Sequence, residues 1–355
     1  MRPARHAGLD AARAIAMLAV VAGHAMASFM VTPIGWAVQD RSRFLGCDLA
    51  AWIIRQASMP AFFWLAGYGA RALYDARGAG GFARDRFLRI LVPLAILLVP
   101  NSLALDFLWD WGREVGARGV VADNIPKLEG SELEILLGHL WFLYYLVWMS
   151  LGALVLAPLA RGFPARMPVL VVPAVLACGV LAYLRAVHTD TPLGFIPNLP
   201  ILGFMGAFFA WGWLVGARPD ELERYTRGAG QAAAIAVASL GVVIATLARG
   251  LDDPSPPPIY ASVASGVFSI AAVAALLGAC ARFLGDRPRP LLRAASRASY
   301  TAYVVHLPVA VVFQISLANA VIPGPLKYLA ILTATATVCA ATYAMLATTT
   351  RRSRT

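Results

Sequence analysis

Apolar residues fall in long blocks along this chain, separated by short connections that carry most of its arginines. A hydrocarbon core about 30 Å thick is crossed by about 20 apolar residues of helix. Windows of that length predict ten helices, at roughly 11–30, 50–74, 88–108, 133–158, 167–187, 199–217, 229–249, 258–281, 298–320 and 326–348. The fold class expected is therefore all-α, a polytopic membrane protein of about ten transmembrane helices. It forms a single domain over 1–355 with a short basic tail from about 349. The first block carries Arg13 and His24 and runs directly into the array, so it is expected to be a retained helix rather than a cleaved signal.

Composition supports the same class: 355 residues that are 59% hydrophobic and 14% charged cannot be buried in one soluble core. The net charge of +11 does not point to nucleic acid, because the basic residues are spread among the connections. With the amino terminus cytoplasmic, nineteen Lys and Arg lie in inner connections and eight in outer ones. That asymmetry places both termini in the cytoplasm. Cys47, Cys178, Cys280 and Cys339 have neither metal-ligand nor disulfide spacing, and no metal is expected. The outer connection 109–132, with five acids and three basic residues, is either a lid or a solvated loop. Pro254, Pro256, Pro257 and Pro258 make a stiff turn into the eighth helix. The absence of an internal repeat counts against a transporter built from paired halves.

Ionisable side chains at membrane depth are costly and mark candidate sites. His24 is one, roughly 20 Å along its predicted helix at 1.5 Å per residue. Arg13, eleven residues earlier, shares its stripe but lies about 16 Å away, too far to touch it. Asp10 and Arg13 are spaced to pair on one face, either as a site or as an interfacial anchor. Arg86 and Arg89, one turn apart, suit an anion held by two guanidinium forks, or lipid headgroups. His139 and Trp141 open the fourth helix on the outer side, where an aromatic belt is ordinary. Tyr300, Tyr303 and His306 enter the ninth from the inner side, with His306 about 12 Å in, as tunnel lining or as satisfied polar core.

Five segments together resemble the membrane acyltransferase-3 family. They are Leu9-Asp10-Ala11-Ala12-Arg13 followed by His24, the stretch Met59 to Tyr68, Arg86-Phe87-Leu88-Arg89-Ile90 with Pro93, His139 to Tyr145, and Ser299 to Pro308. The resemblance spans nearly the whole chain. Ala66 departs from it, standing where many relatives carry Ser, and so does the lack of the extracytoplasmic esterase-like domain that some relatives add. The latter implies that the membrane domain acts alone or with a separate extracytoplasmic partner.

The resemblance implies a bacterial inner-membrane enzyme that moves an acyl group from cytoplasmic acyl-CoA, acetyl-CoA first among donors, to a hydroxyl of a glycan or polysaccharide acceptor. Members that decorate periplasmic glucans or exopolysaccharide are the nearest in form, including a succinyl-transferring subgroup. In that reading His24 is the general base, since imidazole titrates in the range that suits removal of a hydroxyl proton. Arg13, with Asp10, serves the donor end. Arg86 and Arg89 hold the phosphates of coenzyme A, Tyr303 and His306 line its path, and His139 and Trp141 meet the acceptor. The rival expectation is a transporter or flippase that moves a glycan, lipid or acyl species unchanged.

Overall fold

The computed structural model describes residues 7–117, 137–158, 169–218, 220–249, 255–285 and 289–352, and all the regular structure among them is helical. The helices are α1 (Ala7–Met26), α2 (Leu45–Arg86), α3 (Val92–Ala117), α4 (Trp141–Leu156), α5 (Val171–Leu184), α6 (Leu199–Gly216), α7 (Asp220–Arg249), α8 (Ile259–Leu284), α9 (Pro290–Leu317) and α10 (Gly324–Arg352). A turn of π-helix, Phe87–Leu91, joins α2 to α3, and 3-10 turns follow α1 at Ala27–Phe29 and precede α4 at Gly138–Leu140. Residues 118–132 of the expected lid and Pro254 lie outside the described residues.

Among the described residues, eight helical runs are long and apolar enough to cross a membrane. This is an all-α polytopic membrane protein. The count falls short of ten for two physical reasons. The second and third expected helices lie in one run of 72 residues, Leu45–Gly116. That run is interrupted at Gly78, whose φ of 66° and ψ of −177° leave the helix in a conformation a Cβ would strain. The fifth, α5, has 14 residues, about 21 Å at 1.5 Å each, too short to cross unaided. Four starts also move four or more residues toward the amino terminus, α2 by five and α7 by nine among them. α1 begins four residues before the expected 11, and α9 eight before the expected 298.

The described residues form two compact units. One takes the chain up to Ala16, Gln56–Ile96 and Leu140–Arg293; the other takes Met17–Arg55, Leu97–His139 and the chain from Ala294. In the first unit, glycines bring α2 and α6 to backbone contact. A Cβ on Gly67 would strike the Phe209 carbonyl, and one on Gly212 the Trp64 carbonyl. Small residues at helix crossings are the usual way to pack where lipid removes the hydrophobic drive between helices. Beside that crossing the fully buried Trp64 and Trp211 meet edge to face, 6.1 Å apart.

In the second unit, Ala37, Val38, Leu108, Leu307, Val311 and Ile315 form the interior. The connection from Met30 to Phe44 is not helical, and Gly112 of α3 packs directly on its Ala37 carbonyl. Asp40 in that connection is tied to Lys327 of α10. On α10, the hydroxyls of Thr333, Thr337 and Thr342 donate to carbonyls four residues back, which satisfies them within the helix, while the buried Thr335 hydroxyl has no hydrogen-bond partner among the described residues.

Candidate active site

The second unit gathers three histidines that are far apart in sequence. α1 supplies His24, two residues before its end, where carbonyls have no partner within the helix. Gln314 of α9 fills that gap by donating from Nε2 to the carbonyls of His24 and Ala25 at 2.8 and 3.1 Å. Its Oε1 accepts from the Trp36 indole N–H at 2.8 Å. Trp36 lies over the His24 ring, centroids 5.8 Å apart and planes within 23°, and meets Trp109 at 5.5 Å on another side. One amide thus fixes both the backbone of His24 and the aromatic cover on its ring.

His306 of α9 is fully buried and reaches His24, its Nε2 3.1 Å from Nδ1 of the first-helix ring. The sequence set His306 at a shallower depth, as donor-path lining or as polar core bonded between helices, and the longer α9 explains the difference in depth. His306 is sixteen residues from Pro290 and His24 seventeen from Ala7, each about 25 Å along its helix.

His139 joins them from the 3-10 turn before α4. Gly138, at φ 50°, takes the left-handed conformation that turns the chain there. The His139 Nε2–H donates to the Val304 carbonyl at 3.0 Å, and the Tyr303 hydroxyl donates to the His139 carbonyl. Tyr303 therefore braces the turn. The His139 ring stands edge-on to His306, centroids 5.6 Å apart, and its Nδ1 is buried with no hydrogen-bond partner among the described residues.

The arginines belong to the first unit and are arranged differently from the expected pair. Arg86 lies over the Phe82 ring at 5.2 Å, with a buried Nε that has no hydrogen-bond partner among the described residues. Arg89 pairs instead with Asp85 at 3.2 Å, and Arg77 approaches the same carboxylate at 3.7 Å. The π-turn that starts at Phe87 changes the angular step between positions 86 and 89, and the break at Gly78 brings Arg77 back toward Asp85. Three guanidinium groups and one carboxylate therefore replace a simple pair of forks.

Asp10 and Arg13 also lie in the first unit, on α1. Trp141 is buried there against Phe63 and Tyr145 rather than standing on an exposed rim. Among the described residues no group of three or more His, Cys, Asp or Glu is placed to hold a metal ion.

The profile of a family described as an acyltransferase domain, acyltransferase-3, matches residues 6–344. The chain belongs to the acyltransferase-3 family. No curated protein and no solved structure matches it. Membership over nearly the whole chain makes this protein a multi-pass membrane acyltransferase. Among the residues that shape its histidine group, sequence reasoning missed Trp36, Gln314 and Gly138. Gln314 had a readable signal, being a lone amide inside an apolar helix; Trp36 and Gly138 had none beyond their residue type.

Proposed function

We propose that this acyltransferase moves an acyl group, acetyl first and succinyl as the alternative, from cytoplasmic acyl-CoA to a hydroxyl of an extracytoplasmic glycan, with His24 as general base. One observation carries the reading. His24 is held at Nδ1 by Val20 and His306, while no described residue bonds its Nε2. The acceptor hydroxyl gives its proton to that nitrogen as its oxygen attacks the thioester carbon. The carbon–sulfur bond breaks, and the thiolate recovers the proton from the imidazolium. Transfer is direct, without an acyl-imidazole. A neighbouring sugar hydroxyl donates to the bare Nδ1 of His139.

Donor phosphates are assigned to Arg86 and Arg89, with Arg77 added by its approach to Asp85. The excess of basic residues on alternate connections supports cytoplasmic termini and an inner-membrane location. The test supplies purified protein with radiolabelled acetyl-CoA and a glucan. Labelled O-acyl glucan is expected. Uptake of label into vesicles with no acyl transfer from several acyl-CoAs would sink the proposal. Mass spectrometry of surface glycans with and without the gene identifies the acceptor.

A further inference from the structure

His306 sets which nitrogen of His24 is available. Nδ1 of His306 lies 2.9 Å from the Ala302 carbonyl oxygen and 2.8 Å from that of Tyr303. Carbonyl oxygens only accept, so in the neutral ring the hydrogen is on Nδ1 and Nε2 presents a lone pair. That lone pair meets Nδ1 of His24 at 3.1 Å, and the same Nδ1 is 3.1 Å from the Val20 carbonyl. Both neighbours are acceptors, so Nδ1 of His24 carries the hydrogen and shares it between them. The proton-free nitrogen of His24 is then Nε2.

We propose that His306 is a positioning residue that locks His24 in its Nδ1–H tautomer and turns the bare Nε2 toward the reacting hydroxyl. The catalytic half of this rests on His24 being the base; the tautomer does not. When His24 takes the acceptor's proton at Nε2, its Nδ1–H bond to His306 becomes charge-assisted and strengthens. His306 thus does with a neutral lone pair what the carboxylate does in a Ser-His-Asp triad, where losing the correct tautomer costs about 10⁴ in kcat. A neutral partner holds a cation less strongly than a carboxylate, so a smaller loss is expected here. Full burial of His306 keeps water from competing for its Nε2. Gln314 fixes the backbone behind the ring and Trp36 its plane, leaving the tautomer to His306 and Val20.

The experiment has two readouts on full-length protein in nanodiscs. Nitrogen-15 NMR of labelled histidine is expected to show His24 protonated at Nδ1 and bare at Nε2, with the Nε2–H form gaining population in His306→Leu. In acyl transfer from acetyl-CoA, His306→Leu is expected to lower kcat about a hundredfold or more with the donor KM within threefold. His306→Gln, whose amide oxygen can accept near the position of Nε2, is expected to recover at least tenfold of that loss. A wild-type His24 protonated at Nε2 overturns the inference. So does His306→Leu with a raised donor KM and unchanged kcat, which would return His306 to the donor path, or a glutamine no better than leucine. Full turnover by His24→Ala, together with wild-type His24 protonated at Nδ1, would overturn the proposed function and leave the tautomer assignment standing.

Discussion

Asp40 and Lys327, 287 residues apart in the chain, form a buried ion pair with Nζ 2.7 Å from the carboxylate. The side chains are only 4% and 3% exposed, and Lys327 also donates to the Ala318 carbonyl at 3.2 Å. The other carboxylate oxygen accepts from the Ser42 backbone at 2.8 Å. The pair anchors the connection that carries Trp36 onto His24.

Removing one partner of such a pair leaves a buried charge without compensation, which costs about 3–5 kcal/mol, whereas replacing both by apolar groups is often close to neutral. Asp40→Asn and Lys327→Met are each expected to lower the thermal midpoint in detergent. The double variant Asp40→Leu with Lys327→Met is expected to recover most of the loss. Equal or greater destabilisation in the double variant would show that the anchoring needs the charges themselves.

Trp36→Phe keeps a ring above His24 and removes the indole bond to Gln314, a loss of about 1 kcal/mol. Trp36→Ala removes both. Modest loss of acyl transfer is expected for phenylalanine. For alanine, a severe loss is expected with a higher ratio of thioester hydrolysis to transfer, because the cover that keeps water from the imidazole is gone. Counting free thiol against acylated glucan measures that ratio; an unchanged ratio in Trp36→Ala would show that the indole does not exclude water.

Gly138 is expected to resist substitution. Its φ of 50° costs an L residue about 1–2 kcal/mol, and a Cβ there would lie 2.5 Å from Leu105 Cδ1. Gly138→Ala should therefore displace His139 from the Val304 carbonyl and raise the acceptor KM, as His139→Ala is also expected to do. Acceptor titrations of the two variants check this, and wild-type kinetics for Gly138→Ala would detach the turn from acceptor binding.

Asp85 competes with any anion for Arg77 and Arg89. Arg89 is largely exposed, so the pair contributes about 0.2–1 kcal/mol. Asp85→Asn is expected to lower the acyl-CoA KM by up to about fivefold, while Arg86→Ala with Arg89→Ala raises it and leaves kcat less affected. Isothermal titration with acyl-CoA tests both, and a weaker donor in Asp85→Asn would make the carboxylate an organiser of the site rather than a competitor.

The apolar helices were readable because a bilayer demands runs of fixed length whatever their partners. Their starts were not, since α1 begins with Ala7, Gly8, Leu9 and Asp10, and α9 carries Arg293 and Arg297, ahead of the apolar windows. That eight-residue error at α9 is why His306 was set apart from His24. His24 stood out in the sequence as an ionisable group deep in an apolar helix, while its proposed role rested mostly on the family resemblance. Its setting was not, because Trp36, Gln314 and His306 reach it across long stretches of chain and no local pattern encodes such contacts. The arginine cluster shows the same limit: regular helix spacing suggested Arg86 with Arg89, but a glycine break and a π-turn regrouped them around Asp85.

The central claim is that His24 removes the acceptor proton. It is tested most directly by comparing wild type and His24→Ala in acyl transfer from radiolabelled acetyl-CoA and, on the same preparations, in equilibrium binding of acyl-CoA. The predicted result is turnover lower by about 10²–10⁴ with donor affinity unchanged. Wild-type turnover in the variant, or loss of donor binding in proportion to loss of activity, would contradict it.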